Sequence, residues 1–379
     1  MEYDLTNEAK AWAGETFEKI KTKIFAQNQR MGQMIPYVPR NGRYSDLDAP
    51  DGINWWTNGF WAGILWQMYH ATKEESYRIT AENIEKRLDE ALTGFEGLHH
   101  DVGFMWLHTS VANYRLTGNM DSRRRGLHAA NLLAGRYNPS GRFIRAWNGD
   151  NAGWMIVDCL MNLPLLYWAG LETGDPRFAA IAREHADTSL RFSVRADGSC
   201  NHISILDPGT GQCLDNPGGQ GFQPGSSWSR GHSWGIYGFA LNYLHSGDAA
   251  YLSAAKQIAH YYISNLAVND WLPLVDFRAP KEPVKLDSTS AMITCCGLLE
   301  IARHVEEYER ALYLGAALRI LRKCEAAFAN WNADEDAIIG HGASSYHSTG
   351  FDSDAPIIYG DYFFVEAILR LLGKGFLIW

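Results

Sequence analysis

Residues 98–106 read LHHDVGFMW: two histidines and an aspartate side by side, then a glycine and large apolar residues. A metal site needs convergent ligands and usually a third or fourth nearby. The side chains of His99, His100 and Asp101 are consecutive and diverge, so no metal is expected here. Aspartate is a favoured helix N-cap, and a helix is expected from near Gly103. A carboxyl doing acid/base work is the other reading, and this segment alone leaves both open.

A second acid lies in WMIVDCLMNLPLLYW, residues 154–168, where Asp158 is flanked by Ile156, Val157, Cys159 and Leu160. An acid in so apolar a run is rarely buried without a partner or a purpose. Capping by Asp158 or Asn162, with Pro164 in the first turn of the helix, is the structural alternative; the apolar setting favours chemistry. An ordinary aspartic acid, with a pKa of about 3.9, is only about 0.1% protonated at pH 7, which costs a general acid roughly 4 kcal/mol. Burial restores much of that by disfavouring the charged form, and a nearby Asp101 acts the same way.

The stretch GGQGFQPGSSWSRGHSWGIYGFAL, residues 218–241, offers Arg230 and His232 as charge and Trp228 and Trp234 as flat faces. Arginine matches a carboxylate bidentately. The stretch lacks the G-x-S-x-G elbow of serine hydrolases and the G-x-x-x-x-G-K-[ST] of phosphate loops. Trp56, Trp147 and His202 stand in similar loops, and together these residues describe a cleft for a sugar.

The chain has 379 residues, 46% hydrophobic, with a net charge of −9. That charge argues against nucleic acid, which needs a basic face. No signal-peptide pattern and no membrane-length apolar run is found. Six cysteines without C-x-x-C spacing read as free thiols in a reducing compartment, so a cytoplasmic protein is expected. The 14 Trp, 18 Tyr and 16 Phe suit a pocket with flat apolar walls.

The elements that would position these residues recur. An apolar helix, a short polar turn and a more charged amphipathic helix follow one another, with turns near residues 73, 119, 175, 248 and 306, a spacing of roughly 58 residues. The first helix of each pair is apolar all round and must be buried on both sides; the second has one apolar face. Five such pairs plus the terminal segments imply an all-α (α/α)6 barrel, residues 1–379 as one catalytic domain. The long loops 51–60, 94–104, 138–155, 197–235 and 341–361 precede inner helices and gather at one mouth. Short strands are expected in 197–214 and 271–280.

Taken together, WWTNGFWAGILW, HHDVGF, IRAW, IVDCLMNLPLLYWAG, NHISILDPGTG, SSWSRGHSWGIYGFAL, DSTSAMITCCGLLEIA and YGDYFFVEAILRL resemble glycoside hydrolase family 88, the unsaturated glucuronyl hydrolases. The resemblance implies the (α/α)6 fold and removal of a 4,5-unsaturated uronic acid from the non-reducing end of lyase products. It implies acid/base chemistry by Asp158, assisted by Asp101. Substrate contacts are implied at Trp56, Phe60, His100, Trp147, His202, Gln220, Trp228, Arg230, Trp234 and Tyr346. Asp158 would protonate C4 of the vinyl ether, then take a proton from the water adding at C5; the hemiketal opens and the glycosidic bond breaks. No cofactor and no metal are implied, and a monomer or homodimer is expected. Two departures stand out: His232, where some members carry Gln, and Gly350 after Ser345 and Ser348, where members preferring sulfated sugars have lysine. The rivals are an unsaturated rhamnogalacturonyl hydrolase, a sugar epimerase or isomerase using paired His202 and His232, and a silent carbohydrate-binding protein.

Overall fold

The computed structural model describes residues 3–379. Four tripeptides explain why the chain folds back at regular spacing: Thr72-Lys73-Glu74, Thr117-Gly118-Asn119, Thr173-Gly174-Asp175 and Ser246-Gly247-Asp248. In each, the first residue's hydroxyl donates to the carbonyl four residues earlier, closing a helix. The same oxygen accepts the backbone N–H of the third residue. The middle residue is left-handed, with φ between 62° and 78°, a conformation glycine adopts without strain. The third residue's side chain accepts an N–H two residues on and caps the next helix.

Each turn joins an inner helix to an outer one. α1 (Asn7–Met31) is an outer helix. Inner α2 (Phe60–Thr72) leads to α3 (Glu75–Arg87) and a short α4 (Asp89–Gly94). The next inner helix is broken into α5 (Val102–Trp106), a π turn over Leu107–Val111, and α6 (Ala112–Thr117), followed by outer α7 (Met120–Ala134). Two further pairs are α8 (Pro164–Thr173) with α9 (Pro176–Ser193), and α10 (Ser229–Ser246) with α11 (Ala249–Ala267). Then α12 (Ser288–His304) turns into α13 (Glu307–Phe328) through Val305 and Glu306, without a left-handed residue. The last inner helix, α14 (Ile358–Leu371), packs on α1, α2 and α12, so the first outer and last inner helices close the ring. The result is an (α/α)6 barrel, as the sequence pattern implies.

Burial follows the sequence. Every residue of inner α14 is buried, whereas outer α9 buries a stripe of Phe178, Ala182, His185, Ala186 and Ser189. No helix among the described residues is long and apolar enough to cross a membrane.

The strands sit in the mouth loops. β1 (Tyr137–Asn138) pairs antiparallel with β2 (Phe143–Ile144), and β3 (Trp154–Ile156), β4 (Ile203–Leu206) and β5 (Cys213–Asp215) form an antiparallel sheet. The expected strands in 197–214 are therefore present, while β1 to β3 go beyond that expectation. The strand expected in 271–280 is absent: only isolated bridges, Trp228 with Asp276 and Leu274 with Leu286, occur there. The Asp276 carboxylate accepts the backbone N–H groups of Phe222, Ser227 and Arg278, doing for this segment what a ladder would do.

The turns make a paired prediction. Lys73 sits at φ 62° and Gly247 at φ 73°. Gly247→Ala should destabilise the fold by about 1 kcal/mol, and Lys73→Gly should stabilise it by a few tenths to about 1 kcal/mol. Denaturant midpoints check both; shifts of the same sign would contradict the left-handed turn as the shared device.

Candidate active site

The long outer-to-inner connections surround one cavity of about 450 Å³ at the mouth of the barrel. Both acids singled out from the sequence line it, as do Trp56, His100, Trp147, Gln220, Arg230 and Trp234.

Asp158 leaves β3 on a 3₁₀ turn, Val157–Met161, whose other members are buried. Its side chain is 18% exposed. Oδ1 is sealed off and has no hydrogen-bond partner among the described residues, so the accessible edge of the carboxyl is the Oδ2 side. Asp101 occupies the N-cap position of α5, yet its side chain caps nothing. The cap comes from elsewhere: Asn162 Oδ1 accepts the N–H of Phe104 at 2.8 Å. A Cβ on Gly103 would lie 2.6 Å from Asn162 Cα, so this close approach requires glycine. Asn162 thereby frees Asp101 for the cavity and ties the two acid-bearing segments together. Neither Asp158 nor Asn162 caps α8; Pro164 opens that helix without a side-chain cap.

Burial pushes Asp158 up to about 8, helped by the charge of Asp101 and opposed by Arg230. Burial likewise pushes Asp101 up to about 7, opposed by Arg136 and by the Asn162 hydrogen bond. At neutral pH the pair holds at least one proton, and its two titrations belong to the pair. His100 stands 3.4 Å from Asp101 Oδ1, and burial holds it well below the usual imidazole range. It is neutral beside the acids.

Arg230 is buried. It pairs with Asp287 at 2.9 Å, bonds Thr289 at 3.2 Å, and donates to the carbonyls of Ala343 and Ser344. Its guanidinium lies 4.7 Å from the Trp228 ring and 5.5 Å from Tyr359. With Asp287 beside it, Arg230 presents donors to the cavity with little net charge.

Four residues expected as substrate contacts do not line the cavity. Phe60 is fully buried in the layer below, 5.9 Å from the Trp56 ring and 5.6 Å from Phe104. Trp228 is wedged between His202 and Arg230 and backs the wall. Tyr346 turns to the outer side of its loop, packing on Phe222 with Lys285 over its ring. His202 sits behind Asp158, its Nε2 4.0 Å from Oδ1 and closed off from the cavity. His232 is tied at both nitrogens: Nδ1 donates to the Trp228 carbonyl and Nε2 accepts from Cys200 N–H. It lies off the wall, so His202 and His232 do not form a working pair in the cavity.

The structure adds residues that sequence reasoning passed over. Tyr37, Asp352 and Tyr359 line the cavity, with the Tyr37 hydroxyl 3.3 Å from Asp352 and the Tyr359 ring 4.9 Å from Trp56. Tyr359 lay in the quoted YGDYFF run without being singled out; Tyr37 carried no signal beyond its neighbouring prolines. Among the described residues, no group of three His, Cys, Asp or Glu side chains has metal-binding geometry.

A toroid with two raised carboxyls at its aromatic mouth defines a carbohydrate-processing enzyme of the glycoside hydrolase kind. Residues 25–300 match Glycosyl Hydrolase Family 88. The chain is 39% identical over 360 residues to an unsaturated glucuronyl hydrolase of a Bacillus species, covering 92% of this chain and 94% of the relative. It is 33% identical over 335 residues to an unsaturated chondroitin disaccharide hydrolase of Streptococcus pneumoniae, covering 86% and 83%. The crystal structure of the unsaturated glucuronyl hydrolase of Bacillus sp. GL1, responsible for degradation of glycosaminoglycan, superposes with a TM-score of 0.89 at 35% identity, covering 95% and 96%. The chain therefore belongs to glycosyl hydrolase family 88.

The raised acids carry a stability cost with a definite sign. Both folded-state values lie above the unfolded value of about 3.9. Their stabilising contribution is complete below about pH 4 and is lost as pH rises through 7 to 8. Asp158→Asn, which cannot ionise, should gain stability relative to the parent across that window, by on the order of a few kcal/mol at pH 9. Denaturant melts at pH 4 and pH 9 measure it, and a difference that shrinks as pH rises would refute the burial of Asp158 as a neutral acid.

Proposed function

We propose that this chain removes the 4,5-unsaturated glucuronic acid from the non-reducing end of lyase-generated oligosaccharides, glycosaminoglycan disaccharides first among them. The reaction is hydration of the C4=C5 vinyl ether. The observation that carries this reading is the pair Asp158 and Asp101, raised to about 8 and 7 on one wall of the family 88 cavity. An acid that is mostly protonated at neutral pH is what an electron-rich alkene needs.

Asp158 gives its proton to C4, and positive charge develops at C5, shared with the ring oxygen. Asp101 stabilises that charge. The ionised Asp158 then takes a proton from water as the water oxygen bonds C5. The hemiketal opens and the aglycone leaves. Trp56 and Trp147 supply faces for the sugar rings, with the buried Trp234 packed edge-on behind Trp56, while Gln220 and the donors of Arg230 face the sugar's polar groups. Residues 1–379 act as one catalytic unit, in the cytoplasm, where six unpaired cysteines are in keeping with a reducing environment.

The rhamnogalacturonyl alternative shares this chemistry and differs in the leaving sugar; the chondroitin and glucuronyl names of the relatives favour the first reading. The epimerase reading, posed on His202 and His232 as its paired histidines, is disfavoured because His232 is committed to backbone on both nitrogens.

Incubation with an unsaturated chondroitin disaccharide should abolish the ultraviolet absorbance of the conjugated alkene and release the aminosugar, with no action on the saturated glucuronide. Comparable cleavage of the saturated compound would refute hydration. In the same assay Asp158→Asn should lower kcat by ~10²–10⁴. Near-parental turnover would remove Asp158 from the role of acid.

A further inference from the structure

His202 immediately precedes β4, and its ring packs on Trp228 with centroids 4.3 Å apart. Its Nδ1 accepts the backbone N–H of Gln220 at 3.0 Å. A ring nitrogen that accepts carries no hydrogen, so the neutral imidazole holds its single N–H on Nε2. Gly219 makes this bond accessible: it sits at φ +58°, and a Cβ there would lie 2.0 Å from Nδ1. The glycines of GGQG thus set the tautomer of a histidine some distance away in sequence.

Nε2–H faces Asp158. It stands 4.0 Å from Oδ1, and neither atom has another hydrogen-bond partner among the described residues. Closing that gap to a hydrogen bond needs a movement of about 1 Å. Because both atoms are sealed, Oδ1 is the inward oxygen of Asp158 and Oδ2 is the one that meets the cavity.

We propose that His202 is the positioning residue that decides which oxygen of Asp158 carries the acid proton. An oxygen facing a fixed N–H donor is the poorer place for a second hydrogen, so the proton resides on Oδ2, toward the substrate. When it leaves for carbon, the new carboxylate draws Nε2–H onto Oδ1, and the pair relaxes when Asp158 takes its proton back from water. His202 itself neither gains nor loses a proton. This rests on Asp158 being the acid of the proposed hydration.

The other groups facing the pair are consistent with that division. Arg230, from α10, acts on both His202 and Asp158 and is paired with Asp287. Asp101 and His100 approach from the segment before α5, with Arg136 behind Asp101. Cys159, next in the chain, is pushed up by burial and stays a thiol. His202 is pushed down to about 3, first by burial and then by Arg230. Over the working range the imidazole is a donor of constant charge.

The test begins with the parent enzyme labelled with nitrogen-15 at histidine. His202 should appear as the neutral Nε2–H tautomer from pH 8 down to about pH 6; an Nδ1–H tautomer or an imidazolium there overturns the proposal without any variant having to fold. His202→Leu should then lower kcat about 10- to 100-fold with KM within about twofold, and the alkaline limb of kcat should move up by about one to two pH units, because the carboxylate has lost a donor. His202→Gln, which can return an N–H to the same place, should recover most of the rate and the limb. A raised KM with the limb unmoved would make His202 a plain substrate contact and overturn the proposal. Failure of the parent to consume the alkene would instead strike the function proposed above, which separates the two.

Discussion

Two carboxyl groups on one dehydrated wall cannot both ionise cheaply, and most of the mouth of this barrel can be read as a consequence. Burial disfavours the charge on Asp158 and on Asp101, and the charge of either disfavours the other. Arg136 and Arg230 stand near enough to restrain the shift but not to cancel it. Arg230 is partly neutralised by Asp287, and Arg136 is itself held down by burial, to about 10. Had either arginine been bonded directly to an acid, that acid would titrate like an ordinary one and hold no proton at neutral pH. The distance kept between these cations and the acids is therefore as much a part of the site as the acids themselves.

The barrel supplies the dryness. The six inner helices are buried nearly all round, with interior charges paired as in the Glu300–Arg370–Glu366 cluster, and each long connection arrives at the mouth because each short turn, of the Thr-Gly-Asp kind, spends only two or three residues at the other end. The acids sit where irregular backbone replaces helix: Asp101 just before α5 and Asp158 on a 3₁₀ turn before α8. A regular helix at either place would have pointed these side chains into the packed core. The inner helix following Asp101 is broken by a π turn at Leu107–Val111, a feature often found beside functional sites.

Much of this was legible in the chain. Apolar helices followed by short polar turns gave the ring, and an acid among aliphatic residues pointed to Asp158. What escaped was orientation. Phe60 and Trp56 belong to one motif, WWTNGFW, but Phe60 begins a helix whose first turn faces the core, while Trp56 precedes it on a 3₁₀ turn. Sequence spacing does not distinguish a wall from the layer behind it, and Trp228 and His202, expected at the wall, stand in the layer behind it. Asn162 and Asp287 act across long separations, on Phe104 and Arg230, and no local pattern announces such partners. The missing strand near 271–280 has the same origin: one buried carboxylate, Asp276, satisfies amides that a propensity argument assigns to a ladder.

The histidines complete the electrostatic argument. In water, imidazoles titrate near neutrality and carboxyls well below it. In and behind the cavity wall burial reverses the order: Asp101 and Asp158 rise to about 7 and 8, while His202 falls to about 3 and His232 to about 4. The same physical cause acts in opposite directions because burial penalises whichever form is charged. A histidine charged at neutral pH beside Asp158 would compete with it, stabilising the carboxylate, lowering the acid's pKa and leaving less of the protonated form that donates to carbon. Keeping the histidines neutral and hydrogen-bonded to backbone removes that competitor and leaves the carboxyl pair as the groups that exchange protons near pH 7. A site rich in histidine can thus run on aspartate chemistry, provided the wall that holds both stays dry.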